Sequence, residues 1–596
     1  MTQKNSYTQI ITWALFLALL IYAILRAWIV EPLHDEVATY FHYIETGEIK
    51  GGRSLMDANN HLLNSWLGNF SYRLFGEHFF LFRLPAILCF CLYFWCSRKL
   101  TRYLNLGFWG ELCFVALNTV PWIFDYFSYT RGYGLAIGFF MAALLQLYLW
   151  LKTHHTGHFI LLLFFLYLAV LSNLTYLVST LIILSYVVFI TLLYSRKLGI
   201  KALVFHAFLV IVFCYSLIPL IQFTFALKEA GALYYGSLDG LWRVTGKTLS
   251  RYVLFLDSDW LKMAYLLIGL VGGIIFFLQW KKESGLKFLS ESIFWLCMLV
   301  GGNILAILFM AKVMKVNYPE DRAAMYLIPL SILTITVLFA QYKISRYFLL
   351  VLLFFPIGFL AKLNLNTSVF SPDDRMSETF YHEAIKDLKA HETVTVCPIM
   401  QLTYSFFERR NSNRKTKHIA AVQEEFLPCS DVILTKAVYL KGKNFSQYKI
   451  IAQDPLANYI ALRRKKAFEP LQLFDSIGKN QQTNAEYILF YEGPIKEAWR
   501  DKTIRISLKA GVKTDKGLNN FNVVISTNDS SGRNLRYDYQ NLRWYYGENA
   551  GRFSVNYPYA AKHFLSEESQ LIIYIWNPER KQVTLSGPEI QIIELK

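Results

Sequence analysis

Residues 132–151 read GYGLAIGFFMAALLQLYLWL, twenty consecutive positions without a charged side chain. A helix of about 20 apolar residues spans the roughly 30 Å hydrocarbon core of a bilayer. Ten other apolar segments precede or follow it, at 9–30, 79–97, 107–122, 158–174, 176–194, 202–225, 262–280, 292–311, 323–340 and 347–362. The sequence therefore predicts an α-helical polytopic membrane domain with about eleven transmembrane helices.

The composition agrees with a membrane protein that also has a polar region. Of the 596 residues, 54% are hydrophobic and 17% are charged, whereas about a quarter are charged in an average soluble domain. The net charge of +17 favours an anionic partner, and a lipid bilayer with anionic headgroups accounts for it. Because the polar region has no stripe of basic and aromatic residues, we do not expect nucleic acid to be a partner.

Lysine and arginine indicate how the chain is oriented in the membrane. They are concentrated in one set of loops, at 98–106, 152–157, 195–201, 281–291 and 341–346. Loops rich in these residues face the cytoplasm. Eleven crossings then place the N-terminus in the cytoplasm and everything after residue 362 outside. We expect a multi-pass protein of the plasma membrane, which in a bacterium is the inner membrane.

Two extracytoplasmic regions are predicted after the membrane domain of residues 1–362. Between 363 and 467, a helix near 374–390 and short β-type runs predict an α/β unit. Between 468 and 596, strands alternate with turns and predict a β-sandwich, which by analogy of shape resembles a carbohydrate-binding module. Trp544, Tyr545 and Tyr546 either stack on sugars at its surface or pack in its core.

The eight cysteines show no metal-ligand spacing. Six lie in apolar segments as small hydrophobic residues, and Cys397 and Cys429 lie in the polar region. These two either form a disulfide in an extracytoplasmic compartment or remain separate thiols, and the sequence leaves both alternatives open.

The first outer loop, residues 31–78, is long and has its own pattern. It opens with Glu31-Pro32-Leu33-His34-Asp35-Glu36, and apolar residues then recur at helical spacing over 62–74. That spacing predicts an amphipathic helix at the membrane interface. The Asp35-Glu36 pair is either an acidic start of a helix, favoured by the helix dipole, or part of a polar site.

This order of features resembles the GT-C-type membrane glycosyltransferases, among them the protein O-mannosyltransferases and the lipid A aminoarabinose transferase. The resemblance covers roughly 1–362 and rests on a cytoplasmic N-terminus, one span and a long outer loop that opens with an acidic pair. The short motifs that carry it are Asn59-Asn60-His61-Leu62-Leu63-Asn64, Arg83-Leu84-Pro85, Arg131-Gly132-Tyr133 and Asp321-Arg322 with Tyr326 and Pro329. Bacterial relatives often read Asn-Asn-His-Pro-Leu at the first motif, and the proline is missing here.

The resemblance implies a glycosyltransferase that moves a sugar from a polyprenyl-phosphate donor to an acceptor hydroxyl on the outer face, with inversion. It implies Asp35 as the general base, with Glu36 shaping its electrostatics or holding the acceptor. The cations expected at the donor phosphate are Arg131, Arg322 and Lys312. The residues expected at the acceptor or sugar are Asn60, His61 and Asp125.

Other interpretations of these residues stay open. Each cation could instead contact phospholipid headgroups, Asp125 could merely neutralise Arg131, and His61 could be an interfacial hydrogen-bonding residue. No metal ligand is assigned. A divalent ion stays open as a cofactor, because some members of the family use one and His34, Asp35, His61 and Asp125 offer oxygen or nitrogen donors, although without tight ligand spacing.

Two other functions are also open. One is a polymerase or ligase that uses lipid-diphosphate-linked oligosaccharides. The other is a transporter or flippase, which the absence of an internal repeat disfavours.

Overall fold

The computed structural model describes residues 2–50, 56–195, 199–233, 235–283, 285–411, 417–500, 502–514, 517–518, 520–547, 551–559 and 568–596. Within these residues the predicted fold class is confirmed. A helical membrane region is followed by a small α/β unit and then by two antiparallel sheets.

Seven helices in the described part of the chain are long and apolar enough to cross a membrane. They are Tyr7–Ile29, Phe79–Tyr103, Gly132–Thr153, Tyr176–Leu193, Ile200–Glu229, Trp260–Lys282 and Ser292–Lys312. Four shorter apolar helices are Phe108–Asn118, Thr156–Ser172, Leu327–Phe339 and Ser345–Ala361. Each of the eleven lies at one of the predicted apolar segments, as expected for a multi-pass membrane protein.

The predicted segment 107–122 is divided in the structure. The helix Phe108–Asn118 ends before Pro121, and a separate short helix, Pro121–Asp125, begins at that proline. Proline lacks a backbone N–H and suits the first position of a helix, so it starts a new helix here. Asp125 consequently lies at the buried end of a short helix.

The first outer loop forms the predicted helix at Leu62–Phe75. Leu62 and Leu63 are buried, whereas Trp66 and Phe70, one turn apart, are exposed. Three shorter helices carry or contact the candidate residues. They are His34–Thr39, Lys247–Leu254 and the 3₁₀ turn Asp321–Ala324.

The α/β unit contains one five-stranded sheet. Its strand order is Ala421–Val422, Val394–Val396, Val432–Lys436, Tyr459–Arg464 and Tyr448–Asp454. The first three strands are parallel, and the last two form an antiparallel hairpin. The helices Glu378–Ile385 and Gln401–Arg410 belong to the same region.

The β-sandwich is built from two antiparallel sheets. One has the order Asn534–Asn541, Asn522–Asp529, Glu568–Trp576 and Tyr487–Pro494. The other has the order Arg552–Tyr559, Ile504–Thr514, Val583–Leu595 and Pro470–Ile477, with Gln481–Thr483 beside Val583–Leu595.

The structure distinguishes between the alternatives left open for two groups of residues. Trp544 and Tyr545 are buried in the short helix Leu542–Tyr546, so surface stacking on sugars is wrong for them and packing is right. Cys397 and Cys429 are separate buried thiols, and burial raises the pKa of each to about 11.

The chain forms two compact units that do not follow chain order. The first contains the membrane helices and extends to Phe370, whereas the second contains residues 371–596 together with the segment Glu31–His42. Asp35 and Glu36 therefore belong to the folded C-terminal unit, although they directly follow the first membrane helix in sequence.

Candidate functional site

In the first unit, two of the predicted phosphate-binding cations share one aromatic neighbour. The guanidinium carbons of Arg131 and Arg322 each lie 5.9 Å from the centre of the Tyr133 ring. Arg322 also lies 5.7 Å from the ring centre of Tyr235. The ring quadrupole attracts a cation over its face, so Tyr133 holds both guanidinium groups near itself. Guanidinium forks match phosphate oxygens, and this pair is therefore suited to an anionic group.

The backbone around Arg131 strengthens this positive region. Arg131 is the residue immediately before the helix Gly132–Thr153, whose N-terminus carries a partial positive charge. A Cβ on Gly132 would lie 2.1 Å from the Ser172 carbonyl oxygen and 2.5 Å from the His61 Cβ. Only glycine permits this close approach, which keeps His61 beside the start of the helix.

His61 belongs to the same cluster. Its ring centre lies 4.5 Å from that of Tyr133 in an edge-to-face arrangement, and its Nδ1 lies 3.1 Å from the Ser172 carbonyl oxygen. His61, Arg131 and Arg322, which are far apart in sequence, thus all contact Tyr133.

Asn60 makes contacts of a different kind. Its amide nitrogen donates to the Ile49 carbonyl oxygen at 2.6 Å, and its amide oxygen accepts from the Ser65 hydroxyl at 2.9 Å. These hydrogen bonds stabilise the loop before the helix Leu62–Phe75. A role for Asn60 at the acceptor or sugar remains a prediction.

Asp125 is engaged by a residue that the sequence analysis did not single out. Its carboxylate lies 2.7 Å from the Arg26 guanidinium, and it accepts hydrogen bonds from the Val369 backbone N–H at 2.8 Å and the Ser368 hydroxyl at 3.3 Å. Arg26 also donates to the Asn364 carbonyl oxygen at 2.6 Å. Asp125 therefore compensates a buried arginine, and its role in binding an acceptor remains a prediction.

Asp321 precedes Arg322 in a strained turn. Its φ of +47° lies in the left-handed region, and its backbone N–H donates to the Thr248 hydroxyl at 3.2 Å. Burial and, to a smaller extent, the neighbouring Glu320 raise the pKa of its carboxyl, Arg322 and Arg251 oppose the shift, and the net pKa is about 6. A carboxyl that titrates near this pH can exchange a proton under physiological conditions.

Lys312 is not brought into this cluster by any described contact. It is the exposed last residue of the helix Ser292–Lys312. Within the described ranges it forms no ion pair with an acidic residue and no contact with Tyr133. Its predicted role at the donor phosphate rests on its position at the C-terminal end of an apolar helix.

In the second unit, Asp35 and Glu36 occupy the first turn of the helix His34–Thr39. Glu36 is fully buried, and its Oε2 accepts a hydrogen bond from the Leu33 backbone N–H at 3.1 Å, which closes the start of the helix. Asp35 is half-buried. The pair thus satisfies the helix-start interpretation, and of its two carboxylates Asp35 is the more accessible.

Ionic contacts fix this helix to the C-terminal unit. Glu31 accepts from the Arg375 guanidinium at 2.8 Å and from the Glu378 backbone N–H at 2.8 Å. Arg375 in turn lies 3.2 Å from Asp454. Burial raises the pKa of Glu31, whereas the Glu378 N–H and the Arg375 charge lower it. The position of Asp35 is therefore tied to the folded state of residues 371–596.

Sequence reasoning gave no role to three residues that shape the site. Arg26 had a visible signal, because a charge inside the apolar segment 9–30 is costly and usually functional. Tyr133 and Asp321 occur in the short motifs, but the motifs assign them no role, because their contacts are made by tertiary packing. No local pattern indicates that one ring collects two distant arginines.

The described residues contain no group of three or more histidine, cysteine, aspartate or glutamate side chains that could hold a metal ion.

No protein-family model matches the chain, and no curated protein matches it. Among solved structures, it is similar to ArnT from Cupriavidus metallidurans in the apo state, with 12% identity over 77% of this chain and 98% of that chain and a TM-score of 0.37. For ArnT bound to undecaprenyl phosphate, the identity is 13%, the coverage is again 77% and 98%, and the TM-score is 0.36. Arabinosyltransferase EmbB from Mycobacterium smegmatis matches with 10% identity over 97% of this chain and 64% of that chain, with a TM-score of 0.29.

ArnT, an aminoarabinose transferase, and EmbB are GT-C membrane glycosyltransferases, the class that the sequence motifs resemble. All three TM-scores lie below 0.5, so no residue role is carried over from these proteins to this chain.

Proposed function

We propose that this protein is an inverting membrane glycosyltransferase that moves a sugar from a polyprenyl-phosphate donor to an acceptor hydroxyl on the outer face of the plasma membrane. The observation that carries the proposal is the shared contact of Arg131 and Arg322 with Tyr133. Two guanidinium groups beside the N-terminus of a long membrane helix form a region suited to a lipid-linked phosphate.

The reaction is a single displacement at the anomeric carbon. The acceptor oxygen forms the new bond as the bond from the anomeric carbon to the phosphate oxygen breaks, and the phosphate leaves with the electron pair. Arg131 and Arg322 stabilise the charge that develops on this leaving group. Lys312 is retained as a third cation that contacts the lipid phosphate before or after transfer.

Asp35 is the proposed general base, which takes the proton from the acceptor hydroxyl as it attacks. Two features of the C-terminal unit support Asp35 over its neighbour. The Glu36 carboxylate is fully buried and holds the Leu33 backbone N–H, whereas Asp35 is half-buried. Glu36 is proposed to fix the turn that presents Asp35.

Three further residues are proposed to act at the sugar or the acceptor, one by direct contact and two through the loops that they stabilise. They are His61, Asn60 and Asp125. His61 contacts Tyr133, which supports its proposed contact with the sugar beside the phosphate. Asn60 and Asp125 act through the loops that they stabilise, since their described hydrogen bonds are with protein groups.

The test is transfer of radiolabelled sugar by the purified full-length protein in detergent, with a panel of polyprenyl-phosphate sugars as donors. Asp35→Asn is expected to lower transfer by at least about 100-fold, the range of general-base catalysis. Asp387→Asn, at an exposed aspartate of the same unit, is the matched control and is expected to retain full transfer.

Full activity of Asp35→Asn would remove Asp35 from the role of base. If wild-type protein transferred no sugar from any donor but moved lipid-linked sugars across liposomes, the glycosyltransferase assignment would be overturned in favour of a flippase. Transfer from lipid-diphosphate oligosaccharides alone would assign the protein to the polymerase or ligase class.

A further inference from the structure

One face of the β-sandwich presents a row of aromatic side chains to solvent. Tyr487 is 59% exposed, and Tyr537 and Tyr539 are each 44% exposed. Together with Tyr574 and Trp544 they form a set that we name the aromatic row. Exposed aromatic residues grouped on one surface are typical of binding sites.

The rings of the aromatic row follow one another in contact. The ring centres of Tyr487 and Tyr574 are 5.6 Å apart, and Tyr574 and Tyr537 lie on the two strands that flank Asn522–Asp529. The ring centres of Tyr537 and Tyr539 are 6.1 Å apart, and those of Tyr539 and Trp544 are 6.3 Å apart. The row therefore extends from the exposed Tyr487 across the sheet to Trp544, which is only 5% exposed.

Strand register explains why these side chains share a face. Tyr574 lies opposite Leu489 on one side and opposite Val524 on the other, and Val524 in turn lies opposite Tyr539. Residues directly opposite in adjacent strands point to the same side of a sheet. The alternate residues of the same strand, such as Ile573 and Ile575, are fully buried, so the row occupies the outer face.

The inner end of the aromatic row reaches the segment that carries the proposed base. Trp544 stacks on Phe41, with ring centres 6.0 Å apart and planes 21° from parallel, and lies 5.8 Å from the His42 ring. Phe41 and His42 directly follow the helix His34–Thr39, which contains Asp35. The row thus runs, within the C-terminal unit, from an exposed sheet edge to the element that holds Asp35.

The chemistry of the aromatic row fits a carbohydrate chain. A sugar ring has an apolar C–H face and hydroxyl edges, and a tyrosine has an apolar face and a hydroxyl tip that is positioned at low entropic cost. The outer end is bordered by the Glu486–Arg580 ion pair at 3.1 Å, which offers a donor and an acceptor to hydroxyl groups.

We propose that the tyrosines of the aromatic row bind a linear glycan and lead its end toward Asp35, while the buried Trp544 packs between them and Phe41, so that the acceptor is a glycan chain rather than a single small sugar. This inference rests on the proposed glycosyltransferase function for the role of Asp35, but binding itself does not depend on catalysis.

The test uses full-length protein in detergent and a panel of labelled hexasaccharides and disaccharides of glucan, mannan, galactan and arabinan. At least one hexasaccharide is expected to bind the wild-type protein more tightly than its disaccharide. The double substitution Tyr487→Ala with Tyr537→Ala is expected to weaken that binding about tenfold, because two stacking rings are lost. Ile477→Ala, at an exposed residue of the other sheet, is the control and is expected to leave binding unchanged.

A second readout separates this proposal from the proposed function. In the double variant, transfer to the hexasaccharide is expected to fall with binding, while transfer to the disaccharide stays at the wild-type level. If the wild-type protein transfers sugar but binds no hexasaccharide, the proposed glycan binding by the aromatic row is wrong, whereas the proposed glycosyltransferase function is supported. If the double variant weakens hexasaccharide binding but the wild-type protein transfers sugar from no donor, glycan binding by the aromatic row is supported and the proposed glycosyltransferase function is wrong. Binding that the double variant does not weaken, or binding of anionic lipid vesicles alone, overturns the row.

Discussion

At the scale of single residues, the arrangement around Tyr133 depends on side chains that are distant in the chain. Arg131 and Arg322 were selected from short motifs, and the structure brings both to one ring. The sequence could supply the two arginines because their residue type and their position at the ends of apolar segments are local properties. It could not supply Tyr133 as their shared neighbour, because that contact is made by the packing of helices.

Arg322 offers a direct test of the phosphate region. Arg322→Ala is expected to lower kcat/KM for the polyprenyl-phosphate donor by about 10- to 100-fold, since a charge-assisted contact with the phosphate is lost. Arg322→Lys is expected to recover only part of this loss, because an ammonium group lacks the fork geometry. The measurement is donor titration in detergent, with the exposed Arg243→Ala as the control. Equal donor kinetics for Arg322→Ala and Arg243→Ala would contradict the assignment.

Asp321 predicts a pH dependence of stability. Its folded-state pKa of about 6 lies above the ordinary value of 3.8, so the folded protein binds more protons than the unfolded protein between these values. The stabilising contribution is fully present below pH 3.8 and is lost as the pH rises through about 6. Asp321→Asn removes this dependence, and after allowance for the partial exposure of the carboxyl the change is about 1–2 kcal/mol.

The measurement for Asp321 is thermal unfolding of wild-type and Asp321→Asn proteins in detergent between pH 4 and pH 7.5. The groups around the carboxyl, Glu320, Arg322 and Arg251, are unchanged in both proteins. The difference in unfolding free energy between the two proteins is therefore expected to move in favour of the variant as the pH rises. A difference that stays constant over this range would show that Asp321 titrates normally.

At the scale of structural elements, Arg26 connects the first membrane helix to two other segments. It contacts Asp125 at the end of the helix Pro121–Asp125 and the backbone of Asn364. A buried charge is tolerated only when it is paired and hydrogen-bonded. Arg26 is a charged residue inside an apolar segment, which the sequence alone shows. Its partner Asp125 lies 99 positions further along the chain, and periodicity alone could not identify this partner.

Arg26→Met is expected to destabilise the protein by about 3–5 kcal/mol, because it leaves Asp125 buried without its counter-ion. The double substitution Arg26→Met with Asp125→Leu is expected to recover much of this loss. Lys152→Met breaks the half-exposed Lys152–Glu291 pair and serves as the control, with an expected cost below about 1 kcal/mol. The stability of all three variants is measured by unfolding in detergent, with the loss of monodisperse protein as the signal. A single Arg26→Met variant as stable as Lys152→Met would rule out this ionic connection.

At the scale of the whole molecule, most of the architecture could be predicted from hydrophobic patterning. In the described residues, long apolar runs predicted the seven helices that are long enough to cross a membrane and the four shorter apolar helices, and alternation of apolar and polar residues predicted the sandwich strands, because both periodicities are local. The membership of Glu31–His42 in the C-terminal unit could not be predicted. It depends on contacts such as that of Glu31 with Arg375, which are separated by hundreds of residues.

This membership predicts how the C-terminal unit behaves by itself. A fragment of residues 371–596 is expected to melt at least about 5 °C lower than the same fragment fused through a flexible linker to residues 31–42, because the segment supplies buried aromatic side chains and the Glu31–Arg375 ion pair. The control fusion carries Glu31→Gln and Phe41→Ala and is expected to lose most of the gain. Identical melting of the fragment and the wild-type fusion would show that the segment adds nothing to this unit.

The placement of Glu31–His42 also sets an order of events during synthesis. The segment leaves the ribosome roughly 330 residues before Arg375 and roughly 500 before Trp544, which at about 5–20 residues per second is a wait on the order of a minute. During that time the helix that bears Asp35 has no completed surface to pack against. An unfinished chain therefore already contains its apolar helices but lacks an ordered Asp35 helix, so that the proposed transfer reaction begins only after the C-terminal unit has been made.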